Sequence, residues 1–332
     1  MTETRYRGRR ATSIENELVR VTVLHEGGHI AEILDKRSGV NPLWTPPWDS
    51  IEPSTYDLAK HPEYGADAES KLLSGIMGHN LCMDIFGWPS AEEAAAGLTV
   101  HGEASIAVYQ VAAADCELTQ SAHLPQAQLS VERRIRLTGR TLEVVEAVEN
   151  VGSADRPIAW TEHVTLGPPF LEKGVTEFRA SVTQSHVLEE GCGDFRRYTG
   201  APVSNGFTTH LMNPARDTAY FVAWSPRSRL ALAYVWHQAD FPWLGVWEEN
   251  YSRQSPPWNG RTLTRGMEFG ASPMPETRRQ MIGRGTLFGV PAFRWIPART
   301  RVEVHYRAVL SPADNMPEAL AIVAAGEDGF DH

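Results

Sequence analysis

The feature that most constrains this chain is alternation. Apolar side chains recur at every second position through short runs bounded by Gly, Pro, Asn or Asp, from one end of the sequence to the other. The cleanest run is Val302, Val304, Tyr306, Ala308 and Leu310. In residues 128–137, Leu129, Val131, Ile135 and Leu137 share a face, and Arg133 lies on that same face. Residues 230–236 are apolar on both faces, which predicts a strand covered on both sides. Further strands are expected over residues 13–24, 30–34, 104–112, 116–121, 142–149, 177–187, 217–224, 241–247 and 263–270. Helical patterns are short: residues 90–96, opened by the capping serine Ser90, and residues 316–325. Many strands at close spacing, with no repeated strand–helix–strand pattern, predict an all-β, mainly antiparallel sandwich or barrel. One domain is expected over residues 1–332, with residues 1–12 a flexible polar start and residues 316–332 a helix and tail.

Charge and composition exclude some functions. The net charge is −10, from 31 basic and 41 acidic residues, which argues against a nucleic-acid partner. No apolar run nears the roughly 20 residues needed to cross a bilayer, so no membrane partner is expected. The start of the chain lacks the apolar stretch of a secretory leader, and a cytoplasmic location is the expectation. The three cysteines, Cys82, Cys116 and Cys192, are odd in number and lack paired spacing, which argues against a disulfide framework or a structural zinc site. Ten tryptophans suit either core packing or stacking against sugar rings.

No nucleotide-binding glycine loop, nucleophile elbow or H-E-x-x-H helix occurs. His101-Gly102-Glu103 matches the first part of a zinc-deaminase motif, but its cysteine partner is absent. His79, His101 and His163 have no spacing that predicts a metal, so neither metal nor cofactor is expected. Two stretches stand out. Residues 159–170, Ala-Trp-Thr-Glu-His-Val-Thr-Leu-Gly-Pro-Pro-Phe, set an imidazole where a strand gives way to a loop, as either a packed histidine or a proton donor. In Gly266-Met267-Glu268-Phe269-Gly270, a carboxylate sits among apolar residues. Such a carboxylate is either on a solvated strand face or buried, where its pKa rises toward neutrality and suits a general base.

The order of these motifs resembles the galactose mutarotase-like (aldose 1-epimerase) superfamily. His101-Gly102 comes first, then residues 134–144 (Arg-Ile-Arg-Leu-Thr-Gly-Arg-Thr-Leu-Glu-Val). Val148-Glu149-Asn150-Val151-Gly152, Pro157 and His163 follow, and then Leu244-Gly245-Val246-Trp247, Glu268 and Ile296-Pro297-Ala298-Arg299. The similarity spans residues 13–311, and its most specific part is residues 134–163. It implies a β-supersandwich with a few short helices, and a small-molecule sugar as partner; oligomeric state is left open. Carried over residue by residue, it implies His163 as general acid, Glu268 as general base and His101 as an earlier histidine near the ring oxygen. His79, Asn80, Asp84 and Trp247 would line the sugar pocket. Mutarotation removes the anomeric hydroxyl proton while the ring oxygen gains one, and reverses both on reclosure, so each group must act as acid and base near neutrality.

Two departures mark a divergent branch. The comparable early segment, Gly78-His79-Asn80-Leu81, lacks the family's arginine, and the family's His-x-Tyr-Phe is replaced by Val164-Thr165-Leu166-Gly167 after His163. A different ring-recognition shell is expected. Two other readings follow: a sugar-binding or sensing protein without catalysis, and a lyase or isomerase acting on an oxidised or phosphorylated sugar. The last needs an Arg or Lys cluster beside the pocket, and Arg196-Arg197 and Arg278-Arg279 read as solvated surface.

Overall fold

The computed structural model describes residues 4–189, 194–198 and 203–318. The chain is mostly antiparallel β-sheet, with three short α-helices, Ser70–Leu73, Ala91–Ala95 and Arg278–Arg284, among the described residues. An 11-stranded sheet runs in spatial order Thr4–Tyr6, Arg9–Glu15, Val19–Leu24, Ile30–Asp35, His79–Asp84, Arg156–Leu166, Leu263–Gly270, Trp243–Asn250, Ser204–Met212 and Val182–Glu189. The short strand Arg294–Ile296 pairs with one end of Arg156–Leu166. An 8-stranded sheet runs Glu177–Ala180, Thr218–Ser225, Leu230–His237, Arg301–Pro312, Thr141–Asn150, Leu129–Thr138, Glu117–Leu124 and Gln110–Ala114.

The inner faces of the two sheets share one apolar core. Its centre is aromatic: Trp236 stacks on Phe269 at 4.3 Å, and Phe241, Tyr234 and Tyr306 close around Phe269. Each large apolar side chain sealed here contributes roughly 1.5–3 kcal/mol. Alternation sets register because a one-residue slip would turn every one of these side chains outward. Leu230–His237 is buried on both faces, its second face packed under Trp224, Ala313 and Met316.

Several expectations are corrected. The polar start is not a loose tail: residues 4–6 form the edge strand and residues 9–15 the strand next to it, and the guanidinium of Arg9 is fully buried. It bonds the carbonyls of Gly75 and Glu26 and the Glu52 carboxylate, partners far along the chain that a local reading cannot supply. Residues 104–107 are not strand, because the amides of Ile106 and Ala107 fold back onto the carbonyl of Glu103; the strand begins at Gln110. Residues 177–187 divide at Ser181 between the two sheets, as Glu177–Ala180 and Val182–Glu189. The expected C-terminal helix lies outside the described residues from 319 onward. Residues 91–95 do form a helix, with Ser90 and Glu93 capping its start reciprocally. No helix among the described residues is long and apolar enough to cross a membrane.

Candidate active site

The centre of the 11-stranded sheet builds the site by register alone. His163 lies opposite Asn80 on one side and Glu268 on the other, and Glu268 lies opposite Gly245. Residues paired across adjacent strands point to the same face, so Asn80, His163 and Glu268 stand in one row. Met267 and Phe269, flanking Glu268, enter the core between the sheets, so the row faces the other way. Such a face would ordinarily meet water. Here Trp44, Trp88, His101, Phe207 and Trp258 close over it, leaving Glu268 only 2 % and His163 only 4 % exposed.

His163 Nε2 is 3.1 Å from Glu268 Oε1. The contact is close enough to pass a proton, yet Oε1 has no well-aligned hydrogen-bond partner. His163 Nδ1 is held 2.9 Å from the hydroxyl of Thr165, two residues along the same face. Space for the carboxylate comes from Gly266, where an added Cβ would lie 2.2 Å from Oε1 of Glu268. Burial pushes the Glu268 carboxyl up to about 8 and, with the neighbouring His101, holds the His163 imidazole well below its usual value. Near neutral pH the two groups therefore hold one proton between them, beyond the imidazole's own N–H, and it resides on the Glu268 carboxyl.

His101 completes the group. Its ring centre is 4.8 Å from that of His163, and its Nδ1 bonds the Phe86 carbonyl at 2.7 Å. Because a carbonyl only accepts, Nδ1 carries the proton, leaving Nε2 of the neutral ring as an acceptor. Burial lowers His101 to about 4, against the opposing pull of that carbonyl. Its backbone is left-handed, φ 69°, an uncommon conformation for a residue with a side chain. The His101 carbonyl also receives the Met83 amide, which ties this loop to the strand beside His163.

These three side chains border a cavity of about 200 Å³ whose wall includes Trp44, Trp88, Trp247 and Trp258. Trp44 stacks on Trp258 at 6.1 Å, and Trp48 meets Trp258 edge-on at 5.1 Å. Gly167 is where residues 42–44 dock: an added Cβ would lie 2.8 Å from the Trp44 ring, and the Trp44 amide bonds the Thr165 carbonyl. The break in the strand after His163 thus admits an aromatic wall. Trp44, Trp258, Thr165, Glu69 and Arg253 are lining residues that the motif reading missed. One sequence signal was available: Pro-Pro-Trp occurs twice, at residues 46–48 and 256–258, and its two tryptophans touch.

Three expected pocket residues sit elsewhere. His79 is one residue from Asn80 and so projects through the opposite face. There Nε2 lies 2.7 Å from Glu162 and Nδ1 lies 3.1 Å from the Tyr234 hydroxyl. Asp84 is held away from the cavity wall by Arg156 at 2.6 Å and by Arg278 at 2.6 Å. Those guanidiniums hold its carboxyl below the usual range despite the opposing effect of burial. Arg278 is accordingly a structural partner of Asp84 and Glu93, not solvated surface, whereas Arg279, Arg196 and Arg197 are exposed. Asn80 is on the row with His163 but fully sealed, with neither amide atom hydrogen-bonded. Trp247 does line the cavity, with its Nε1 donating to Asn205. No grouping of three or more His, Cys, Asp or Glu suited to a metal occurs among the described residues.

No protein-family model matches the sequence, and no curated protein matches it. Solved structures do match in fold. A protein from Klebsiella pneumoniae provisionally named an aldose 1-epimerase superposes with a TM-score of 0.73 at 14% identity, over 96% of this chain and 82% of that one. A galactose mutarotase-like protein from Clostridium acetobutylicum gives 0.64 at 12% identity, over 94% and 98%. A galactose mutarotase related enzyme from Lactobacillus acidophilus gives 0.61 at 11% identity, over 93% and 100%. At these identities the likeness is one of fold. The chain has the galactose mutarotase-like β-sandwich fold.

Proposed function

We propose that this protein is a mutarotase-like enzyme that interconverts sugar anomers by acid–base ring opening, with His163 and Glu268 as the proton-transferring pair. The observation that carries the reading is their opposition across two antiparallel strands, 3.1 Å apart, at an almost dry cavity wall. The shared proton suits the chemistry. In one arrangement it is on the Glu268 carboxyl beside a neutral imidazole; in the other, a carboxylate faces an imidazolium. The second arrangement is the one ring opening uses: Glu268 takes the proton of the anomeric hydroxyl while His163 gives one to the ring oxygen. After rotation about the C1–C2 bond, reclosure runs the two transfers backward and returns the pair to its starting state. No proton is gained or lost overall. His101, with Nε2 free to accept, would hold a sugar hydroxyl beside His163.

Aromatic walls of Trp44, Trp247 and Trp258 would stack on the apolar face of a pyranose ring. The test is anomer exchange, followed by NMR across a panel of monosaccharides. Acceleration of at least one sugar, lost on Glu268→Gln, supports the reading; a panel in which no sugar exchanges faster than in buffer rejects it. A second reading, sugar binding without turnover, is favoured by the altered stretch after His163, where Gly167 admits the Trp44 ring against the strand. Saturable binding with no exchange would select it.

A further inference from the structure

Arg253 enters the cavity from the loop after strand Trp243–Asn250, and its guanidinium lies over two of the wall tryptophans, 4.7 Å from the centre of Trp258 and 5.5 Å from that of Trp247. Arg253 Nη1 donates to both oxygens of Glu69, at 3.1 and 3.3 Å, and Nε faces Glu249 at 3.7 Å. Its other terminal nitrogen, Nη2, has no partner among the described residues. The side chain keeps 30% of its surface and that of Glu69 15%, so neither is sealed. Glu69 also lines the cavity, whereas Glu249 is turned to the loop backbone, accepting from the amides of Ser252 and Arg253.

This arrangement has a definite chemistry. An open N–H beside a carboxylate offers a donor and an acceptor a few ångströms apart, the pattern complementary to two neighbouring hydroxyls. One hydroxyl accepts from Nη2 and the next donates to Glu69. The tryptophans fix the guanidinium plane, so little side-chain freedom is lost on binding. The charge count points the same way. One guanidinium between two carboxylates leaves no positive surplus, so a phosphate or carboxylate on the ligand would meet net repulsion. We infer that Arg253 and Glu69 form a diol clamp that selects neutral sugars over uronates and sugar phosphates. The inference rests on the reading of the cavity as a sugar site, but not on catalysis there.

The experiment separates the two. Tryptophan emission, reported by Trp247 and Trp258 beside the clamp, is titrated with D-glucose, D-galactose and D-mannose, and with D-glucuronate and glucose 6-phosphate. The proteins are the wild type, Glu268→Gln, Arg253→Lys and Glu69→Gln, each first shown by circular dichroism to be folded. The expected result is that at least one neutral sugar binds wild type and Glu268→Gln, and that Arg253→Lys and Glu69→Gln each weaken it ten- to hundredfold. A lysine keeps the charge but loses the planar fork, so it tests geometry rather than sign. Neutral sugars bound equally by all four proteins, binding confined to the two anions, or no binding by any sugar would each overturn the clamp. Clamp-dependent binding without anomer exchange leaves the clamp standing and defeats the epimerase reading. Exchange with clamp-independent binding does the reverse.

Discussion

Glu162 and His163 are neighbours on one strand and face opposite sides of one sheet, and their surroundings differ in a way that separates structure from function. Glu162 points into the sandwich, where Oε2 meets His79 at 2.7 Å, Tyr306 at 3.0 Å and Arg133 at 3.1 Å. Arg133 is also bound to Glu146, whose other oxygen takes the indole N–H of Trp160 at 2.6 Å. Burial pushes Glu146 up to about 8 against the pull of Arg133, and the carboxylate of Glu162 adds to the rise. This inner cluster ties the two sheets together through groups that nearly all have partners. His163 and Glu268, on the outer side, are as dry but have few partners: Thr165 for one, and for the other a contact of poor alignment. A buried polar group short of partners costs stability, and at a cavity wall it is available to a ligand.

Four predictions press on this contrast, in order of expected effect. Arg133→Ala, which leaves inner carboxylates unpaired, is expected to cost about 3–5 kcal/mol in urea unfolding; a cost near zero would show that the inner cluster does not hold the sheets. On the outer side the sign reverses. The folded pKa of Glu268 is raised to about 8, so its contribution is fully present below the unfolded value near 4.5 and is lost as pH rises through 8. Glu268→Gln should therefore stabilise the fold by roughly 3 kcal/mol at pH 7, shrinking by about 1.4 kcal/mol per unit toward pH 4.5. Equal stability of the two proteins at every pH would contradict a desolvated Glu268. Gly266→Ala forces a Cβ against the Glu268 carboxylate and should cost about 1–3 kcal/mol while slowing any exchange reaction. An unchanged melting temperature and rate would show that the carboxylate has room elsewhere.

The smallest effect at neutral pH concerns groups that titrate in acid. His29, His101 and His210 are lowered to about 3, 4 and 4, chiefly by burial. Their share of stability is present above the unfolded pKa near 6.5 and declines as pH falls toward those values. Replacing His210, which is hydrogen-bonded to Ser185 and Thr208 away from the dyad, with Gln should flatten the acid limb of a pH–stability curve by up to about 1.4 kcal/mol per unit. An identical slope in the variant would assign the acid limb to other groups.

Much of this was legible in the chain, for physical reasons. Alternation at Val302–Leu310 or Leu129–Leu137 is a local signal, and an antiparallel sandwich follows from it. The glycines beside Glu268 were visible too, and one of them is the space the carboxylate occupies. What failed was face and distance. His79, Asn80 and Asp84 were grouped as one pocket wall, although a strand turns consecutive side chains to opposite faces, so His79 and Asn80 could not both line it. Asp84 shares the face of Asn80 but is taken by Arg278, 194 residues away. Glu69 and Arg253 stand 184 residues apart, and neither belongs to a local pattern that would pair them.

The central claim is that the outer pair works as one proton-transfer unit. Its most direct test is the NMR rate of anomer exchange of the best sugar of the panel, in wild type, His163→Ala, Glu268→Gln and the double variant. A coupled pair predicts that each single change removes about 10²–10⁴ of the acceleration and that the double variant is little worse than either. Single variants that exchange as fast as wild type, or losses that multiply in the double variant, would contradict it.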